Sequence, residues 1–154
     1  MRLQPPRYAT LLCALAAAAI VAGCGNSPTS PTNTTTTTTT TTTTVAEPTI
    51  NEVFQATVPV GGSRFYSFTV TQNGTVNLTL VEVAGQYVPA TVTLGLGVGV
   101  PDGTDCNATT SINTAAGTTP QVTATLAPGI YCARVYDVGN LFAPAAFSVS
   151  IDHP

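Results

Sequence analysis

Phe65-Tyr66-Ser67-Phe68-Thr69-Val70-Thr71-Gln72-Asn73-Gly74-Thr75-Val76-Asn77-Leu78-Thr79-Leu80 is the stretch on which the fold turns. Tyr66, Phe68 and Val70 alternate with Ser67 and Thr69, and Val76, Leu78 and Leu80 alternate with Asn77 and Thr79. A period of two sends the apolar side chains to one face of an extended chain, the pattern of a half-buried strand. Gln72-Asn73-Gly74 offers the backbone freedom of a tight turn, so the runs read as antiparallel strands joined by one. The alternation continues in both directions: Val92, Leu94, Leu96 and Val98; Val122, Ala124 and Leu126; Tyr131, Ala133 and Val135; Phe147, Val149 and Ile151. Glu52 to Val58 is a less regular earlier strand. Further turn residues lie at Pro59 to Gly62, Pro101-Asp102-Gly103 and Ala127-Pro128-Gly129, and no segment has a helical period. The expected fold is all-β, an antiparallel β-sandwich of about seven to eight strands, in a stretch of roughly 110 residues that is long enough for one core.

The N-terminal third has another character. Arg2 and Arg7 precede an apolar run from Tyr8 to Ala22, interrupted only by Thr10. At about 15 residues the run is shorter than the roughly 20 that span a bilayer, and it has the form of a signal-peptide core. It ends at Val21-Ala22-Gly23-Cys24, which resembles the lipobox of bacterial lipoproteins. That resemblance implies that residues 1–23 leave as a signal peptide and that the Cys24 thiol is lipidated. Two or three acyl chains hold a protein to a membrane far more firmly than one. Gly25 stands where some bacterial families place an Asp that retains the protein at the inner membrane. The expected location is therefore the bacterial cell envelope, at the outer membrane where the cell has one. Residues 24–49 read as a tether, with unbroken threonine from Thr34 to Thr44 after Pro28 and Pro31. Such a tract has no apolar face to bury. It is either a glycosylated stalk or a plain spacer, and at about 3.3 Å per residue it reaches on the order of 80 Å. Residues 50–154 are the sandwich domain.

Only 11 of the 154 residues are charged and none is lysine. Without the signal peptide, Arg64 and Arg134 face seven acids, a formal net charge of −5. That balance excludes nucleic acid and attachment to anionic lipid through a basic patch, and each arginine is expected to pair with a nearby acid. Cys13 leaves with the signal peptide and Cys24 carries the lipid, so Cys106 and Cys132 remain as an even pair outside the cytoplasm and read as a disulfide. A metal pair there lacks partners, since the one histidine is His153, beside the last residue. A catalytic triad would have to use that histidine at an end expected to fray, so the domain reads as non-enzymatic.

Gly62-Ser63-Arg64-Phe65-Tyr66-Ser67-Phe68-Thr69-Val70, Gly74-Thr75-Val76-Asn77-Leu78-Thr79-Leu80 and Leu126-Ala127-Pro128-Gly129-Ile130-Tyr131-Cys132-Ala133-Arg134-Val135 together resemble the bacterial pre-peptidase C-terminal domain. The likeness spans most of residues 50 to 151. It implies a small jelly-roll-like sandwich of an exported protein; some members bind extracellular polymers and some use calcium. Val88-Pro89-Ala90-Thr91-Val92-Thr93-Leu94 has no acid where that family commonly carries them.

Three groups of residues are candidates for a site. Asp102 and Asp105 lie in a Gly-containing loop, and Asp137 follows the strand of Cys132, a set of oxygen ligands suited to calcium; the alternative is that they are turn residues. Phe65, Tyr87, Tyr136 and Phe142 fall outside the inward alternation or in loops, as ligand-binding aromatics do, or else they pack over the ends of the sandwich. Gly95, Gly97 and Gly99 leave one face of a strand bare, for a ligand or for a neighbour in the same domain. The expected function is that of a lipid-anchored envelope protein presenting a non-catalytic module that binds an envelope protein or polysaccharide. The alternative is a structural or assembly component of the envelope without a diffusible ligand.

Overall fold

A computed structural model describes residues 44–154; the segment read as a signal peptide, Cys24 and the stretch read as a tether through residue 43 lie outside the described residues. Eight strands follow in order: β1 Ile50–Val58, β2 Ser63–Val70, β3 Gly74–Ala84, β4 Leu94–Asp102, β5 Asp105–Thr114, β6 Val122–Leu126, β7 Gly129–Asp137 and β8 Ala145–His153. They form two four-stranded antiparallel sheets, β1-β8-β3-β6 and β2-β7-β4-β5. The pairings β1 with β8, β2 with β7, β3 with β6 and β4 with β5 are those of one long hairpin rolled up on itself, which is the jelly roll. Consequently only the β4–β5 turn closes a hairpin within a sheet, and every other connection crosses from one sheet to the other.

The inner faces meet as the alternation requires. Leu78, Leu80, Leu94, Leu96, Val149 and Ile151 are fully buried, and Phe54, Phe68 and Phe147 fill the space between the sheets. Each such side chain contributes about 1.5 to 3 kcal/mol of transfer free energy. Two strands depart from the alternation. In β3 the register slips between Leu80 and Glu82, so Val81 faces solvent and Val83 returns to the core out of phase. The whole of β5 lacks a hydrophobic alternation: Asn107-Ala108-Thr109-Thr110-Ser111-Ile112-Asn113-Thr114 is an edge strand, mostly exposed because its counterpart across the core, β6, has only 5 residues.

The registers sort the loops onto two poles. Val58, Ser63, Ala84, Leu94, Thr114, Asp137 and Ala145 mark one end, which carries the connections 59–62, 85–93 and 138–144; the connection 115–121 leaves that end and runs back along β3, bonded to Leu80 and Leu78, to start β6 opposite Leu78. At the other end lie the short turns 71–73, 103–104 and 127–128, together with the point where the chain enters. Ala46 N–H donates to Asn73 O at 3.0 Å, Thr75 N–H to Ala46 O at 2.8 Å, and Thr49 N–H to His153 O at 3.0 Å. The end of the segment read as tether is thus fastened across this entry pole. Gly74 permits the crossing, since a Cβ there would stand 2.6 Å from both Ala46 O and the Pro154 ring. A nine-residue strand is about 30 Å long, which is the separation of the poles.

Candidate functional site

The disulfide forms as the cysteine count requires: Cys106 and Cys132 have Cα atoms 6.0 Å apart and both are buried. It joins β5 to β7 across β4, with the β5 backbone at Asn107 lying on the bare face of Gly99. The other two glycines of that face are also covered from within: the Tyr136 ring sits on Gly95, where any Cβ would strike it, and Ser111 and Ala108 close over Gly97. The stripe is therefore filled by the domain's own groups and holds no groove for a ligand.

Asp102, Asp105 and Asp137 do not come together, so the calcium set read from the sequence is corrected. Asp102 pairs with Asp105 at the entry pole, whereas Asp137 pairs with Leu94 at the opposite end of β4. The bridge draws Cys132 toward the Asp102 loop, but the chain then runs five residues away along β7 before it reaches Asp137. No group of three metal-ligating side chains occurs among the described residues. Asp105 instead accepts the Cys106 N–H at 2.8 Å and lies 3.6 Å from Arg134. Arg64 donates to the Ser63 carbonyl and makes no ion pair among the described residues, contrary to expectation.

The four candidate aromatics separate into two pairs. Phe65 and Tyr136 lie on the outer face of the β2-β7-β4-β5 sheet, half-buried, with the Arg134 guanidinium 5.6 Å from the Tyr136 ring centroid. Their surroundings make them packing residues. Tyr87 and Phe142 stand at the loop pole and are 82% and 96% exposed; beside them Val60, which the sequence pattern did not single out, is 51% exposed. Tyr87 also has φ of 67°, the left-handed region that a bulky residue adopts at a cost of about 1–2 kcal/mol. A strained residue whose ring gains nothing from burial points to a role outside the fold.

The loops that carry these side chains are held in place by Asp137. Its Oδ2 accepts the Gly61 N–H at 2.7 Å, and its Oδ1 accepts those of Gly139, Asn140 and Leu141 at 2.8, 3.1 and 3.2 Å. One carboxylate thus ties the Val60 loop to the Phe142 loop. Burial would raise its pKa, but the four N–H donors outweigh burial and hold it below the usual aspartate value. The Tyr87 loop abuts the end of the Phe142 loop: a Cβ on Gly85 would lie 3.0 Å from Pro144 O. The connections 59–62, 85–93 and 138–144 contain no charged residue, with Arg64, Glu82 and Asp137 on the strand ends beside them, while Glu47, Glu52, Asp102, Asp105 and Asp152 lie toward the entry pole. That contrast was present in the sequence, but it acquires meaning only once the topology gathers the three loops together.

Two other features complete the surface. A shallow groove of about 360 Å³ opens on the outer face of β1, β8 and β3, lined by Gln55, Thr57, Glu82 and Ser148. At the entry pole, His153 is buried rather than frayed, because β8 runs between β1 and β3. Its Nε2 lies 3.0 Å from Glu52 Oε1, and the Tyr66 hydroxyl donates to Glu52 Oε2 at 2.5 Å. The Tyr66 bond, and then His153, outweigh burial to lower the Glu52 pKa, and Glu52 in turn raises that of Tyr66. These groups engage one another and leave no nucleophile poised, so the cluster is a clasp between β1, β2 and β8. Compared with protein-family models and with curated proteins, the chain matches none.

Proposed function

We propose that the protein is a lipid-anchored component of the bacterial cell envelope that presents a non-catalytic β-sandwich as a binding module, with the loop pole as its binding surface. The observation that carries this reading is the polarity of the domain. The chain enters at one end through Ala46 and Thr49, and the exposed rings of Tyr87 and Phe142 stand at the other. A lipid on Cys24 followed by a threonine tether would hold the acidic entry pole toward the membrane side and leave the loop pole facing outward. The resemblance to the pre-peptidase C-terminal domain of exported proteins points the same way.

Site-specific photo-crosslinking in intact cells tests the proposal. A crosslinker replacing Val60, Tyr87 or Phe142 should give adducts, and one replacing Val100 or Ile130 at the entry pole should not. Adducts only from the entry pole would overturn it. The second reading, a structural component held by its neighbours, is favoured by one feature: the β5 edge carries no charge from Cys106 to Thr114, although natural edges are usually blunted by charge or proline.

A further inference from the structure

Resting on that reading of the loop pole, we infer that the pole binds an uncharged polysaccharide. Its three connections contain no cation that would recruit a phosphate, a carboxylate polymer or an anionic lipid, and Arg64, the cation at the adjoining end of β2, turns its Nη1 back to the Ser63 carbonyl. The carboxylate at its base, Asp137, is already bonded to four backbone N–H groups and is not offered to a cationic partner. What the pole does offer is two ring faces, on Tyr87 and Phe142, standing out from loops rather than lining a cavity. Around them are exposed neutral donors and acceptors: Gln86 beside Tyr87, Asn140 beside Phe142, and Thr91 further along the Tyr87 loop.

Each part has a counterpart in a neutral sugar chain. The C–H face of a pyranose is apolar and carries partial positive charge, so it packs on the electron-rich face of an aromatic ring. Sugar hydroxyls satisfy amides and threonine hydroxyls that would lose their hydrogen bonds without compensation in the hydrocarbon of a bilayer. The same amides and hydroxyls therefore argue against insertion of Phe142 into lipid. Projecting rings on two separate loops suit an extended polymer better than a single small molecule, which would need a concave site. The loops are fixed before binding by Asp137 and by the Gly85–Pro144 contact, so little ordering entropy opposes association.

The chain contains no tryptophan, so Phe142→Trp places a single reporter on the pole. The full lipidated chain carrying it is reconstituted in phosphatidylcholine liposomes and titrated with cellohexaose, chitohexaose or alginate oligomers. The expected result is solvent-exposed emission that shifts with a neutral hexasaccharide and not with alginate, and a midpoint at least about tenfold weaker after Tyr87→Ala, on the scale of a binding hot spot. Quenching by brominated lipid before any sugar is added would overturn the inference in favour of the membrane. So would a response to alginate alone, the absence of any response, or a response untouched by Tyr87→Ala. Crosslinked protein adducts from positions 87 and 142 in cells, combined with silence toward sugars, would overturn the glycan and leave the pole standing. No adducts from either position would remove the pole itself.

Discussion

Removing the Cys106–Cys132 bridge should cost the domain a calculable part of its stability. The bond closes a loop of 26 residues between β5 and β7, both of them in the β2-β7-β4-β5 sheet. The chain-entropy relation gives about 12 cal/mol/K for a loop of that length, or about 3.5 kcal/mol at 25 °C. A domain of roughly 110 residues has an unfolding entropy of about 0.23 kcal/mol/K near its midpoint, so the loss corresponds to a fall in Tm of about 15 °C. Scanning calorimetry on the parent and on Cys106→Ala/Cys132→Ala, each with and without reductant, reads this directly. Reductant should bring the parent down to the double variant and leave the variant unmoved. The edge strand β5 should also lose amide protection first, since apart from its ladder with β4 the bridge is its main fastening to the rest of the sheet. A double variant melting within about 4 °C of the parent, a difference of about 1 kcal/mol, would refute the reasoning.

Further outcomes follow from the two poles. Tyr87→Gly should raise stability by about 0.5 to 1 kcal/mol by relieving the left-handed backbone, while weakening ligand binding; denaturant titration and the sugar titration report the two effects separately. Gly95→Val should destabilise by about 1 to 3 kcal/mol, because a side chain there displaces the Tyr136 ring. Asp137 has a lowered folded pKa, so its contribution is complete above the unfolded value of about 3.9 and is lost as pH falls through the lower folded value. Amide protection at Gly139 to Leu141 should therefore drop in that acid range, and Asp137→Asn should show low protection at every pH. Phe142→Ala should leave Tm within about 1 °C of the parent, since an exposed ring adds little to folding.

How legible all this was depended on burial. The core strands announced themselves because each presents one face to the opposite sheet, and Val76, Leu78, Leu80, Val149 and Ile151 repeat at period two without interruption. β5 was silent because an edge strand over an incomplete partner needs no apolar face, so DCNATTSINT reads as loop. The slip at Val81 hid the last third of β3 by changing the phase of the pattern. At the site, composition flagged Tyr87 and Phe142 as aromatics out of phase, and the structure adds that they share a pole. Asp137 was noticed for the right reason, as an acid beside a loop, yet its oxygens go to backbone N–H groups rather than to a cation. Glu52, Tyr66 and His153 lie far apart in the chain, and only the pairing of β1 with β8 and the packing of β2 across the core bring them together.

Everything proposed here depends on where the domain is held, so the decisive measurement is metabolic labelling with a clickable palmitate analogue, comparing the parent with Cys24→Ala through membrane fractionation. The account predicts that the parent takes up label and sediments with membranes and that the variant loses both together. A parent that takes up no label and is recovered from the medium would contradict it.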